Sequence, residues 1–414
     1  MVNSFLPVIG GRELVVKHLA SALTRQGHEV RVIGPGGYFK YKNYKLDFPI
    51  HRFPSIASLK KWRECMGDNG QLKRPKLAAL LEEKLKEWQL YHDLKKWGYD
   101  IVHAHNTYPT GYAVAHLKKK LKVPLVITPH GQDIHKIPEL GHGLRLNPYL
   151  EKRIRFTLEQ ADAATSISDS IGISLNEAGA SKEKIVNIPN GVDLDRFSMS
   201  HQVDARQWLS LPKDAKLIVT VGNYHPRKGH EVLVKAMPEV IKKQPQARLV
   251  IVGRKSAILQ ALIQEMGLNE CVVLTGSLSI PGCHDGHKDN EESEDYLSAL
   301  LQSAEMYVSA STDEGAEGLS LALLEGMAAQ LPIIATNISG NRDVITTGEN
   351  GVLVEPKSEH ALATAILQLL NDAEEKNKLG KGALEFAKEY SWDNIARQYV
   401  DLYRKVIDTA DHKA

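Results

Sequence analysis

Short runs rich in β-branched residues recur along the chain, and each is followed by a longer stretch with helical spacing. The runs are VRVIG (30–34), DIVHA (100–104), PLVIT (124–128), KLIVTVG (216–222), ARLVIVG (247–253), CVVLTGS (271–277), EMYVSA (305–310) and LPIIAT (331–336). Apolar runs of five or six residues with little alternation suit strands of a parallel sheet that is covered on both faces. Between them, Val15, Leu19 and Leu23 stand at i, i+4 and i+8 just after Gly10 and Gly11, which makes one apolar helix stripe. The alternation occurs in both halves and predicts a doubly wound α/β fold, made twice.

The period fades over IPNGVDLDRFSMSHQVD (188–204), where Pro, Asn-Gly and Asp cluster as turn formers. This predicts one domain over about 1–195 and a second over about 205–390. A last helix is predicted over about 391–410, because Trp392, Ile395, Ala396, Tyr399, Leu402, Tyr403 and Val406 share one face. Only Met1 to Leu6 precede Pro7, so the first strand of the first domain reads as truncated or unusually short. Two stretches break the pattern: residues 55–97, rich in Lys, Arg and Trp, and the polar, acidic PGCHDGHKDNEESED (281–295).

Composition narrows the class. With 414 residues, 43% hydrophobic and 25% charged, the chain is neither disordered, collagen-like nor a disulfide scaffold. No run of 18 apolar residues predicts a transmembrane helix, and the start is a poor signal peptide. Cys65, Cys271 and Cys283 are odd in number and form no C-x-x-C pair, as expected of free thiols in a reducing compartment. The expected location is therefore cytoplasmic. The net charge of +2 hides a split: residues 1–198 carry +10 and the remainder −8.

Candidate chemistry concentrates in the second half. In TDEGAEGLSLALLEGMAAQLPIIAT (312–336), Glu317 lies in a Gly-flanked turn and Glu325 eight residues later, inside a helix expected over about 319–329. The amides of Gly318, Leu319 and Ser320 at the helix mouth could hold a phosphate or sugar hydroxyls. A lone pair of glutamates is most often solvated helix charge, but a second anion site changes the reading. VGNYHPRKGHE (221–231) puts Arg227 and Lys228 in the turn between a strand and a helix, which suits a diphosphate. Neither G-x-x-x-x-G-K-[ST] nor G-x-G-x-x-G is present, so the triphosphatase and dinucleotide fingerprints are missing.

These segments, with the linker NGVDLDRF (190–197), TPHGQDI (128–134) and Gly10-Gly11 followed by Glu13, resemble retaining glycosyltransferases of family 4 over nearly the whole chain. The resemblance implies the GT-B fold: two Rossmann-like domains facing a central cleft, with the last helix packing back on the N-terminal domain. It implies an NDP-sugar donor as co-substrate, no other cofactor and no metal. Residue by residue, Arg227 and Lys228 would bind the donor diphosphate, Glu325 the ribose hydroxyls, and Glu317 with the following amides the donor sugar. His130 would face the sugar near the reacting carbon, and the Gly11 amide would approach the phosphates or the acceptor. Transfer would be to an acceptor hydroxyl in polysaccharide, glycolipid or cell-envelope glycan synthesis, with retention through a front-face route. Other activities on the same fold, such as an epimerase, a phosphorylase or a non-catalytic donor-binding protein, are the alternatives.

The chain departs from the family where an Arg usually follows the Gly of the first C-terminal-half strand: Asn223 stands there, and Arg227 is the expected substitute cation. GNRD (340–343) is a second departure, with Asp343 in place of a Glu. His130 directly follows a strand in a Gly-containing turn, which favours function over a structural role. Asp133 reads as a cap, and His105 and Asn106 as lining for the acceptor side. The H-x-H pair His103/His105 lacks a third metal ligand nearby, and Cys283, His284, His287 and Asp289 match no structural zinc spacing. The basic stretch 55–97 and Lys118, Lys119, Lys120 and Lys122 read as a solvated face or as peripheral contact with an anionic membrane. No nucleic-acid partner is expected. The positive half is the acceptor side, so the acceptor is expected to be anionic or lipid-linked.

Overall fold

The computed structural model describes residues 1–2, 5, 10–36, 46–54, 76–199, 203–278, 294–313 and 318–412. The chain divides into two compact units, Met1–Asn190 with Trp392–Ala414, and Gly191–Ser391. The division falls inside the turn-rich stretch where the hydrophobic period fades.

In the first unit the order is α1 (Gly11–Arg25), β1 (Val32–Gly36), β2 (Ile50–Pro54), α2 (Lys76–Trp97), β3 (Val102–Ala104), α3 (Tyr112–Leu121), β4 (Leu125–Ile127), α4 (Pro148–Gln160), β5 (Ala163–Ser166), α5 (Asp169–Glu177) and β6 (Ile185–Asn187). Strands β3, β4, β5 and β6 pair in sequence order and in parallel, and β1 pairs in parallel with β2. Residues 1 and 2 lie between β1 and β3. The Val2 amide donates to the Ile33 carbonyl at 3.0 Å, and the Met1 carbonyl accepts from the His105 amide at 2.9 Å. Two residues thus occupy the place of the expected first strand.

Helices cover this unit's sheet on both faces, as buried parallel strands require. Leu90 and Leu94 of α2 and Val114 and Leu117 of α3 pack with Val102, Leu125 and Ile127. Leu150, Ile154 and Leu158 of α4 pack with Ala164, Ile171 and Leu175. The C-terminal helix Trp392–Asp411 belongs to this unit. It lies along α1, with Trp392 stacked on His18 at 5.8 Å and Asp393 paired with Arg25 at 2.7 Å.

The second unit opens with the short helices α6 (Leu194–Ser198) and α7 (Ala205–Trp208). It continues with β7 (Lys216–Val221), α8 (His230–Lys243), β8 (Ala247–Val252), α9 (Gln260–Glu265), β9 (Val272–Gly276), α10 (Tyr296–Gln302), β10 (Met306–Ser309), α11 (Leu321–Ala328), β11 (Ile333–Thr336), β12 (Gly351–Val354), α12 (Glu359–Asn371) and α13 (Ala373–Glu389). Its sheet order is β9-β8-β7-β10-β11-β12, all parallel, which is 3-2-1-4-5-6 in the order the strands occur. The order reverses between β7 and β10, and open α/β sheets bind ligands at that switch point, beyond the carboxyl ends of the strands.

Two-sided burial explains why these strands are continuous apolar runs. Ile218, Leu249, Ile251, Met306, Val308 and Ile334 point into one core, shared with Leu233 and Met237 of α8 and Leu362 and Ile366 of α12. Their neighbours Leu217, Val219, Val250, Val252, Tyr307 and Ile333 point into the other, shared with Leu300 of α10 and Leu323, Leu324 and Met327 of α11. Full burial of one such aliphatic side chain contributes roughly 1.5–3 kcal/mol. Strands β2, β5, β6 and β12 do not stand out as apolar runs in the sequence: β2 (IHRFP) and β6 (IVN) carry polar residues, β5 (AATS) is built on small ones, and β12 (GVLV) begins at a glycine.

Candidate functional site

The second unit builds its site from two turns at the switch point. After β7, the chain makes a tight turn at Pro226–Lys228, held by the His225 side chain accepting from the Arg227 amide, before α8 begins. This turn carries both Arg227 and Lys228. After β10, the Thr312 amide donates to the Arg227 carbonyl at 2.8 Å, which locks the second turn to the first. Gly229 makes that approach possible. It adopts φ +65°, and a Cβ there would stand 1.8 Å from the Ala310 carbonyl oxygen.

The second turn leads to α11, which starts at Leu321 rather than 319, with Ser320 at the N-cap. Gly318 and Leu319 therefore precede the helix, and Ser320, with extended backbone, is its N-cap. Glu325 lies just over one turn into the helix. Gly326 lets this helix pack against β10, since a Cβ would stand 2.8 Å from the Tyr307 ring. Glu317 lies outside the described residues, as does the Cys283, His284, His287 and Asp289 cluster.

Charge around this switch point is organised in pairs. Asp313 pairs with Lys357 at 2.8 Å and accepts from the Thr312 hydroxyl at 2.8 Å. Burial pushes the Asp313 carboxyl up, but Lys357, Thr312 and the charge of Arg227 together hold it below its usual value. His230, the first residue of α8, is pushed down to about 4 by burial and by Lys228.

Asn223 is tied to a second cation that the sequence did not indicate. Its Oδ1 accepts from the Arg254 amide at 3.0 Å and from Arg254 Nε at 3.3 Å. Besides Arg227, expected to stand in for the missing cation, Arg254 just after β8 is thus brought to position 223. Sequence separation hid it, because a residue 31 positions away becomes a neighbour only when β7 and β8 pair.

Glu325 also has partners that the sequence did not announce. Arg196, in α6, grips Asp295 through Nε at 2.5 Å and Nη2 at 3.0 Å and turns Nη1 toward Glu325 at 3.8 Å. Asp295 caps α10 by accepting from the Ser298 amide. All three side chains are largely buried. Burial raises the Glu325 carboxyl above its usual range; Arg196 opposes the rise, while Asp295 and Asp193 add to it. Arg196 and Asp295 stand in DLDRF and EESED, but the first segment reads as a linker of turn formers and the second as a polar, acidic loop.

In the first unit the candidate residues gather at the carboxyl ends of β3 and β4. Asp133 is a staple: Oδ1 accepts from the His130 amide and Oδ2 from the Thr107 amide, both at 2.8 Å. The His130 ring stacks on His105, and its Nε2 meets His105 Nδ1 at 3.3 Å. Burial, with Arg12 adding to it, lowers the His130 imidazole to about 3, so it is neutral at physiological pH. His103 engages both ring nitrogens, Nδ1 with the Tyr403 hydroxyl at 2.7 Å and Nε2 with Thr128 at 2.6 Å. Those bonds use the lone pair that a metal would need. Among the described residues there is no group of His, Cys, Asp or Glu arranged to hold a metal ion.

Gly11 is the exposed first residue of α1, after Gly10 at the N-cap. The Glu13 carboxylate folds back over Gly10, 2.7 Å from where a Cβ would be, and pairs with Arg12 at 2.8 Å.

Two family descriptions match consecutive parts of the chain, Glycosyltransferase Family 4 over residues 9–196 and Glycosyl transferases group 1 over residues 215–372. The phosphatidyl-myo-inositol mannosyltransferase of Mycobacterium leprae is 27% identical, over 96% of this chain and 94% of its own. The solved sucrose-phosphate synthase of Thermosynechococcus elongatus superposes with a TM-score of 0.75 at 23% identity, covering 99% of this chain and 98% of its own. The Anabaena protein HepE, solved with UDP-glucose, superposes with a TM-score of 0.70 at 18% identity over 98% of both chains.

Proposed function

The chain belongs to glycosyltransferase family 4 and has the GT-B fold, and on that premise we propose that it moves a sugar from a nucleotide-diphosphate sugar to an acceptor hydroxyl with retained configuration. The observation that carries the donor reading is the lock between the Arg227–Lys228 turn and the turn that leads to Glu325's helix, at the point where strand order reverses. Two cations and a helix N-terminus there suit a departing diphosphate. HepE, of the same fold, was solved with such a donor.

In the proposed step the bond from the anomeric carbon to the diphosphate oxygen breaks, with its electron pair leaving on the diphosphate. The acceptor oxygen bonds the same carbon on the same face, and its proton passes to the departing phosphate oxygen. Arg227 and Lys228 stabilise the leaving charge. Glu325 accepts from the ribose hydroxyls, Glu317 and the amides of 318–320 hold the sugar, and His130 donates or accepts a hydrogen bond as a neutral ring. Neither metal nor other cofactor is part of this reading.

The first unit is proposed to bring the acceptor, of the anionic or lipid-linked class. Support comes from α2 and α3, where Lys95, Lys96, Lys119 and Lys120 are exposed, Lys95 and Lys120 both over the Tyr91 ring, and from Trp88, 61% exposed, and Leu85 on α2. Cationic residues flanking exposed Trp and Leu suit peripheral contact with an anionic membrane. The mycobacterial relative is named for a phosphatidyl-inositol acceptor. No described helix is long and apolar enough to cross a membrane.

Incubation with UDP-, GDP- and ADP-hexoses tests the activity. One of them is expected to be cleaved slowly in water and to give a product whose anomeric configuration, read by NMR, matches the donor. Inversion would sink the retaining mechanism, and cleavage that requires inorganic phosphate would make the chain a phosphorylase.

His130 carries its own expectation. Because its imidazole is neutral above about pH 5, His130→Gln should lower kcat about 10–100-fold while the pH–rate profile between 5 and 8 keeps its shape. Loss of an inflexion in that window would mean that the ring titrates during turnover.

A further inference from the structure

The proposed function gives no role to two side chains that surround Glu325 in the second unit. Arg196, Asp295 and Glu325 form a buried group of one cation and two carboxylates, contributed by α6, the start of α10 and the middle of α11. Its geometry is uneven. Asp295 takes the bidentate edge of the guanidinium at 2.5 and 3.0 Å, while Glu325 receives only Nη1, at 3.8 Å, beyond hydrogen-bond length. Arg196 is itself fixed from behind. Its carbonyl accepts from the Ser298 hydroxyl at 2.7 Å, and the carbonyls of Phe197 and Met199 accept from Gln302 Nε2. The guanidinium therefore cannot swing toward Glu325 without releasing Asp295.

A structural ion pair would spend its fork on one acid and need no second. Here the second acid keeps lone pairs uncommitted to the protein, at a helix that starts on the switch point. Arg196 neutralises one of the two negative charges, and Asp193 adds a further negative field. Glu325 thus stands in enclosed surroundings with less than one full counter-charge.

We propose that Arg196 is a positioning residue for the donor's ribose: it holds the Glu325 carboxylate in its ionised, acceptor-only form, and Asp295 limits how strongly it does so. The inference rests on the reading that Glu325 binds ribose hydroxyls, and it adds that this binding is pH-dependent with a midpoint set by the other two residues. A protonated Glu325 would offer one oxygen as a donor and lose a charge-assisted bond. Ribose recognition is then present above the Glu325 midpoint and lost as pH falls through it. Removing Arg196 moves the midpoint up, and removing the Asp295 charge moves it down.

The test uses the full chain and whichever of UDP, GDP and ADP binds it by calorimetry, with the 2′-deoxy and 3′-deoxy counterparts of that nucleotide. The ratio of deoxy to ribo Kd cancels the titration of the phosphates and reads the ribose hydroxyls alone. In the wild type the ratio is expected to be about tenfold at pH 8 and to fall toward one at acidic pH. Arg196→Gln should bring that fall at higher pH, Arg196→Lys should restore it in part, and Asp295→Asn should delay it to lower pH. Asn retains the N-cap that α10 needs, so Asp295→Asn reads the charge even where Arg196→Gln fails to fold.

Identical midpoints in wild type and Asp295→Asn would overturn the inference. A ratio near one at every pH in the wild type, or a ratio that Glu325→Gln leaves intact, would instead overturn the ribose reading beneath it. A chain that binds none of the three nucleotides would overturn both.

Discussion

Replacing Arg227 and Lys228 together with alanine is expected to lower kcat/KM for the donor about 10³-fold, the largest loss of any change that spares the fold. Each cation makes charge-assisted hydrogen bonds to a diphosphate, worth about 1.5–3 kcal/mol apiece in an enclosed site. Two of them amount to about 3–6 kcal/mol, or two to four powers of ten in rate. The loss should appear in kcat as well as in KM, because charge on the bridging oxygen grows as the sugar bond breaks. Both side chains are half-buried at the surface of a turn whose backbone is held by His225 and Thr312, so stability should change little. Steady-state kinetics with the preferred donor checks this, with a thermal melt beside it. A double variant within threefold of wild type would remove the diphosphate from this turn.

Gly229→Ala should be among the most damaging small substitutions in the second unit. The left-handed conformation alone costs alanine about 1 kcal/mol. The new Cβ would also stand 1.8 Å from the Ala310 oxygen and 2.8 Å from its carbon, both backbone atoms that no side-chain rotation can move. The turn after β7 must then part from the turn after β10, breaking the Thr312–Arg227 bond. A loss of about 3–5 kcal/mol is expected, with a fall of about 10 °C in Tm. Donor binding should be lost even at temperatures where the protein remains folded. Gly267→Ala separates the two causes: Gly267 has φ +67° but nothing within 4 Å of its would-be Cβ, so only the conformational cost applies. Equal effects at the two positions would mean that the close approach of the turns does not matter.

The parts of the molecule that were legible in the sequence are those where neighbours along the chain carry the information. Strands β7, β8, β10 and β11 were visible because a strand buried on both faces must be apolar at every position, and α1 because its stripe repeats every turn. The turn that carries Arg227 and Lys228 and the helix that carries Glu325 were visible because strand runs and turn residues bound each of them within its own segment. Asp295 and Arg196, 99 positions apart, and Asn223 and Arg254, 31 apart, were not. Each reads locally as solvated charge, and only strand pairing or helix packing turns it into a partner. Burial of Ala163–Ser166 likewise depends on what surrounds that strand, since small residues carry little hydrophobic signal of their own.

The path of the chain through the first unit bears on how the protein is made. Its closing helix is translated only after all 201 residues of the second unit, Gly191–Ser391. Domains ordinarily fold in turn as they leave the ribosome. Here the second unit can complete itself first, while the first waits with the seat for Trp392 beside His18 vacant and the hydroxyls of Tyr399 and Tyr403 not yet delivered to Thr128 and His103. Nascent chains of this protein therefore carry an unfinished N-terminal unit until that helix has left the ribosome, and it is this unit that chaperones would be expected to shield.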